Sequence, residues 1–133
     1  MFMDNFRIGI LGAGHIAEKM ARTVNAMDGV EVYAVGSRSL EKASDFAGRF
    51  GVGKAYGSYE ELVSDPMVDM VYVATPHNCH FPHVRLCLEN GKHVLCEKAF
   101  MLNAREAEEV FAMARERGLF VAEAIWTRYQ PAR

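Results

Sequence analysis

The sequence predicts an α/β fold, a Rossmann-type doubly wound parallel sheet with helices on both faces in three α/β/α layers. Three observations carry that expectation. Apolar runs of strand length alternate with segments of helical period along the chain, six times over, which is the pattern of βαβ units around a parallel sheet. The strand candidates are rich in Val, Ile and Leu without polar alternation, as expected of strands covered on both faces. The first of them runs directly into a glycine-rich turn that opens a helix. At 133 residues the chain has the size of one domain with a real core. One folding unit over residues 1–133 is the expectation.

The first strand spans Phe6–Leu11, and Ile16, Met20, Val24 and Met27 then recur at helical spacing until Asp28-Gly29 supplies a stop. Glu31–Gly36 is the second strand. Ser39 can cap a second helix reaching about Phe50, where Gly51 is a natural residue to end it. A short strand lies near Ala55-Tyr56. Ser58-x-x-Glu61 fits a capping box, and Asp65-Pro66 closes that short helix. Asp69–Ala74 is the fourth strand, followed by a helix from about Phe81 to Glu89 and by Asn90-Gly91. His93–Cys96 is the fifth strand, a helix runs from Asn103 to just before Gly118, and Leu119–Ala124 is the sixth strand. In the tail "IWTRYQPAR" both periodicities are lost, and Pro131 discourages a further strand or helix.

Composition excludes several classes. With 50% hydrophobic and 24% charged residues and a formal charge of −2, there is no basic footprint for nucleic acid. No basic region precedes an apolar core at the start, and no apolar run could span a bilayer, so the chain reads as cytoplasmic and not membrane-bound. Cys79, Cys87 and Cys96 are an odd number without a C-x-x-C pair, which predicts reduced, mostly buried thiols.

The turn Gly12-Ala13-Gly14-His15-Ile16-Ala17 is a G-x-G-x-x-A pattern in strand-turn-helix context. Gly12 permits the tight turn, Gly14 lets backbone approach a pyrophosphate, and Ala17 lets helix and strand pack. The helix N-terminus offers free N–H groups and partial positive charge to phosphates. The competing reading is a purely structural turn. A phosphate P-loop is excluded, because Gly53-Lys54 and Gly91-Lys92 are followed by Ala55 and His93 and not by a hydroxyl.

The end of the second strand bears on which nucleotide binds. An NAD-preferring site usually places an acid there for the ribose 2′-OH, but this chain has Gly36-Ser37-Arg38-Ser39. Arg38 can hold a 2′-phosphate through charge-assisted bonds, with hydroxyls beside it. The alternative is a solvated loop arginine. The missing acid also argues against an S-adenosylmethionine site.

Ligands of an open parallel sheet sit beyond the carboxyl ends of its strands, so the segments after Val73 and Cys96 should face the cofactor. Thr75-Pro76-His77-Asn78 forms a stiff turn suited to pass near a nicotinamide ribose. His77, His80 and His83 with Cys79 raise a metal site, but Pro76 and Pro82 disturb the spacing and no second ligand cluster exists, so no metal is expected. His83 reads as an ordinary helix residue, whereas His80 could line the pocket. Glu97-Lys98 ends the fifth strand. Lys98 can donate to a substrate oxygen and Glu97 can orient it or contact the cofactor. A solvated loop ion pair accounts for the two residues equally well.

Together "GILGAGHIA", "GSRS", "ATPHNCH" and "GKHVLCEKAF", in that order, resemble the N-terminal half of the Gfo/Idh/MocA family of oxidoreductases, over nearly all of residues 6 to 130. The tail resembles members related to dihydrodiol dehydrogenases. The resemblance implies that Gly12, Gly14, His15 and Ile16 line the pyrophosphate turn, and that Ser37 and Arg38 meet the adenosine ribose or its phosphate. It implies that Thr75, Pro76, His77 and His80 border the nicotinamide, that Glu97 contacts the nicotinamide ribose, and that Lys98 is the active-site lysine. Trp126 and Arg128 would sit near the passage into a substrate domain. Where the family usually has proline after Glu-Lys, often with a cis bond, this chain has Ala99, which leaves the aim of Lys98 open.

The resemblance further implies a second α+β domain that builds the substrate wall and usually a homo-oligomer interface, and that domain is absent from residues 1–133. The expected function is the cofactor domain of an NADP-dependent oxidoreductase, with NAD possible. It would move hydride between the nicotinamide and a hydroxyl or carbonyl of a small-molecule substrate: a sugar, cyclitol or dihydrodiol. The alternative is a non-catalytic NADP(H)-binding or sensing module.

Overall fold

The computed structural model describes residues 5–124. Its strands are β1 (Phe6–Leu11), β2 (Val30–Gly36), β3 (Lys54–Tyr56), β4 (Met70–Val73), β5 (His93–Glu97) and β6 (Val121–Ala124). Its helices are α1 (His15–Asn25), α2 (Leu40–Phe50), α3 (Tyr59–Val63), α4 (His80–Glu89) and α5 (Ala104–Arg117), with a 3₁₀ turn at His77–Cys79. The strands form one sheet in the order β3-β2-β1-β4-β5-β6, every neighbouring pair parallel. The order reverses between β1 and β4, which opens a crevice at their carboxyl ends. This is the doubly wound Rossmann arrangement that the alternating pattern predicts.

Strand residues alternate between faces, and the core divides accordingly. Ile10, Val35 and Tyr72 pack with Ala17, Met20, Val24 and Phe46 of α1 and α2. Leu11, Val71, Val73 and Val94 pack with Leu62, Val84, Leu88 and Val110 of α3, α4 and α5. The caps are those the sequence names. The Ser39 and Ser58 hydroxyls accept from the Lys42 and Glu61 N–H groups, each at 3.2 Å, and Asn103 Oδ1 accepts from the Glu106 N–H at 2.9 Å. Gly51 and Gly118 close α2 and α5 in the left-handed region, as C-terminal glycines commonly do.

Boundaries differ where local bonding overrides period. α1 stops at Asn25, because the N–H groups of Ala26 and Met27 tighten onto the carbonyls of Thr23 and Val24. The 3₁₀ turn starts the following helix one residue early, and Pro82 falls in its first turn, where an N–H would have no intrahelical partner. β6 starts at Val121 and not Leu119, since the Phe120 N–H turns to His93 Nδ1 at 3.0 Å. Cys87 and Cys96 are buried thiols and Cys79 is half-buried. Burial pushes the Cys96 thiol up to about 12. Among the described residues, no helix is long and apolar enough to cross a membrane. Trp126 and Arg128 lie outside the described residues.

Candidate cofactor site

The crevice beyond β1, β2 and β4 is a cleft of about 430 Å³ lined by Gly12, Ala13, Gly14, Ser37, Arg38, Lys42, Tyr59, Ala74, Thr75 and Pro76. Three loops distant in sequence thus meet at one sheet edge. Six of the residues singled out by sequence are in the lining: Gly12, Gly14, Ser37, Arg38, Thr75 and Pro76. His15 and Ile16 form the first turn of α1 beside it, both exposed.

Each glycine has a separate job. Gly12 has φ +105°, and a Cβ there would lie 2.9 Å from the Ala74 carbonyl oxygen of the neighbouring loop. The fold itself needs a bare backbone at that position. At Gly14 an added Cβ would meet nothing within 4 Å, so the sheet and helices do not demand glycine there. Gly14 is also the N-cap of α1 without a side-chain cap, unlike Ser39, Ser58 and Asn103. The leading N–H groups of α1 are therefore left uncapped by the residue that precedes them, as an incoming phosphate requires. These features fit a dinucleotide pyrophosphate.

At the end of β2, Ser37 is buried and its hydroxyl accepts from the Ser39 N–H at 3.2 Å, while Arg38 is exposed on the cleft wall. Sequence reasoning missed two neighbours. Lys42 enters from the first turn of α2, three residues after the Ser39 cap, and Tyr59 enters from the start of α3. Burial pushes the Tyr59 hydroxyl up, and the adjacent Arg38 guanidinium opposes that rise. Among the described residues, no carboxylate lines this cleft.

After β4, Thr75 is 6% exposed and its Oγ1 lies 2.7 Å from His83 Nδ1. His77 is exposed, with Nε2 3.4 Å from the Met101 carbonyl. His80 does not line the cleft. Its ring is 1% exposed, with Nε2 2.9 Å from the Thr75 carbonyl and Nδ1 2.9 and 3.1 Å from the carbonyls of Ala99 and Phe100. It ties the loop after β4 to the loop after β5, supporting the wall from behind. These histidines are engaged with Thr75 and with backbone carbonyls, and among the described residues no group of three His, Cys, Asp or Glu side chains could hold a metal ion.

Glu97 and Lys98 do not act as a solvated ion pair. Glu97 is the last residue of β5, and Lys98 follows it in the loop. Glu97 is buried and accepts a hydrogen bond from the buried Tyr72 hydroxyl, whereas Lys98 is exposed at the carboxyl edge. The Lys98–Ala99 peptide bond is cis, without a proline. The loop that follows is tied to β6 through the Phe100 N–H, which donates to Glu123 Oε2 at 3.0 Å.

A wound parallel sheet, a glycine turn shaped for a pyrophosphate and a lysine beyond β5 together define a dinucleotide-binding oxidoreductase domain. The profile of the GFO_IDH_MocA oxidoreductase family, NAD-binding Rossmann fold, matches residues 6–124, and the chain belongs to this family. Mouse trans-1,2-dihydrobenzene-1,2-diol dehydrogenase is 48% identical over 128 residues, which cover 95% of this chain and 38% of that protein. The chain thus spans about two-fifths of the length of the curated relatives it matches. KijD10, a 3-ketoreductase from Actinomadura kijaniata solved with TDP-benzene and NADP, superposes with a TM-score of 0.92 at 36% identity, covering 96% of this chain and 40% of that one. GenD2 from gentamicin A biosynthesis, solved with NAD, gives 0.86 at 29% identity, covering 92% of this chain and 35% of that one.

Proposed function

We propose that this chain is the cofactor half of an NADP-dependent oxidoreductase that moves hydride between the nicotinamide and a hydroxyl or carbonyl of a sugar, cyclitol or dihydrodiol. Structural neighbours have been solved with either cofactor, so the choice of NADP rests on this chain's own side chains. The observation that carries it is the pairing of Arg38 with Lys42 in a cleft wall that holds no carboxylate among the described residues. Two cations and the Ser37 hydroxyl suit a 2′-phosphate, whereas an NAD site wants an acid for the ribose hydroxyl. The diol class is favoured by the mouse relative's name.

A bound nicotinamide supplies or accepts the hydride. The chain's residues do the rest. The α1 N-terminus and Gly14 hold the pyrophosphate, and Thr75 and Pro76 set the wall toward the nicotinamide. Glu97, buried and fixed by Tyr72 at the end of β5, would contact the nicotinamide ribose. Lys98 stands at the exposed edge, where it would donate a proton to a carbonyl oxygen, or take one from a hydroxyl in the reverse direction. The substrate wall and any subunit interface would lie in a region corresponding to the part of the relatives beyond the match.

Calorimetric titration of NADP+ and NAD+ against the wild type and Arg38→Asp tests the reading. A charge-assisted bond contributes ~1.5–3 kcal/mol, so NADP+ should bind about tenfold or more tightly, and the variant should lose that preference. Equal affinities in the wild type would overturn the assignment.

A further inference from the structure

His83 reads in the sequence as a plain helix residue, and the cleft lining does not include it. Its surroundings say otherwise. It sits on α4, half-buried, directly behind two residues that do line the cleft. Its Nδ1 is 2.7 Å from Thr75 Oγ1, and its ring meets the Tyr59 ring edge-on with centroids 4.6 Å apart. Thr75 follows β4 and so belongs to the second half of the wound sheet; Tyr59 opens α3 and belongs to the first half. The crevice lies where these halves part. His83 is thus one side chain braced against a wall residue from each half.

We infer that His83 is a positioning residue, setting Thr75 through its hydrogen bond and Tyr59 through its ring. The inference rests on the cleft being the dinucleotide site. The groups facing the ring are Thr75, Tyr59, His80, Glu60 and Arg38. Burial, with the nearby His80, holds the His83 pKa below the ordinary histidine value, so the ring is neutral at pH 7 and brings no third cation beside Arg38 and Lys42. Its part is therefore geometric. Tyr59 shares its stretch of wall with Arg38 and Lys42, the adenosine end, whereas Thr75 lies toward the nicotinamide. The two contacts should then be separable by ligand. An adenosine 2′,5′-bisphosphate samples only the Tyr59 side, and the whole dinucleotide samples both.

The experiment uses the full chain at pH 7.5 and titrates NADP+ and adenosine 2′,5′-bisphosphate against wild type, His83→Phe and His83→Asn. His83→Phe keeps a ring against Tyr59 and removes the bond to Thr75. It should weaken NADP+ five- to tenfold while leaving the bisphosphate within twofold. His83→Asn keeps an amide where Nδ1 stood and removes the ring, and it should weaken both ligands together. Melting temperatures and near-ultraviolet circular dichroism check that both variants stay folded, and Thr75→Val provides a second route should His83→Phe fail that check: it must reproduce the same split between ligands. Variants that bind both ligands as the wild type does would overturn the inference, as would equal loss of both ligands in His83→Phe or Thr75→Val. If the wild type bound neither ligand, the cofactor reading would fail and this inference with it. Wild-type binding without the split refutes His83 alone.

Discussion

Two lysines bracket β5, Lys92 just before it and Lys98 just after it. Lys92, at the amino edge of the sheet, is 6% exposed, and its ammonium donates to the carbonyls of Asp65 at 2.6 Å and Val68 at 2.8 Å. Burial lowers its pKa, and the nearby Asp65 and Asp69 carboxylates counter that effect. Lys98, at the carboxyl edge, is exposed. A cavity of about 650 Å³ at the amino edge, lined by Arg7, Asp69 and Lys92 among others, exceeds the candidate cofactor cleft in volume. Yet Lys92, its buried cation, is already spent on backbone carbonyls. On the proposed function, one strand therefore carries a rivet at one end and a tool at the other. Cavity size does not distinguish them, but the state of the donors does.

The largest expected effect tests the tool. In a longer form that carries the substrate domain, Lys98→Met should lower kcat by ~10²–10⁴, the usual contribution of a general acid or base, while its melting temperature stays within experimental scatter of the wild type. Single-turnover kinetics and calorimetric melting check both halves; unchanged turnover with a large drop in stability would reverse the roles of the two lysines. For the rivet, Lys92→Met removes two charge-assisted hydrogen bonds and should cost about 2–4 kcal/mol of stability, read by urea denaturation, with NADP+ affinity of the folded protein unchanged. Loss of affinity in parallel with stability would mean that the two edges are coupled.

A smaller effect sharpens the picture of the amino edge. The Tyr56 hydroxyl donates to Asp65 Oδ2 at 2.7 Å, and this bond raises the Tyr56 pKa to about 12. Burial alone would raise the Asp65 carboxyl, but Tyr56 and the Met67 N–H outweigh it and hold it below the ordinary value. The native state therefore grips the Tyr56 proton more tightly than the unfolded chain does, so this stability is fully present below pH 10 and fades as the pH rises from there through about 12. For Asp65 the sign is opposite. Its contribution is present above the unfolded carboxylate pKa of ~3.9 and is lost as pH falls through the lower folded value. Tyr56→Phe should cost about 1.5 kcal/mol at pH 7. That difference should narrow at both extremes of a pH series of urea melts, and a constant difference across the series would contradict the pairing.

Local signals were legible where one stretch of chain decides the outcome. The caps at Ser39, Ser58 and Asn103 and the stops at Gly51 and Gly118 depend on neighbours three or four residues away, and each stands where the pattern puts it. The glycine turn, Arg38 and the Thr75-Pro76 corner were legible because each ends an apolar strand. What sequence could not show depends on register and crossover. Tyr72 reaches Glu97 because β4 and β5 pair so that Tyr72 faces Leu95, one pleat away on the same side. Lys42 and Tyr59 join the cleft only after α2 and α3 fold back along the sheet. Lys42 did leave a trace, as a cation one helical turn beyond Arg38 and just past a cap. The family resemblance implies that His80 borders the nicotinamide, but its ring is buried and its two nitrogens are drawn to three backbone carbonyls.

The two glycines of the turn differ in what heredity can do with them. At Gly12 an added methyl group collides with the Ala74 backbone 2.9 Å away, so an allele there should damage the fold itself before any ligand is met. At Gly14 the same methyl group finds open space inside the chain and obstructs only what comes from outside. On the proposed function such an allele should leave a folded product that no longer binds cofactor, and two mutations two positions apart would then segregate as absence and as presence without function.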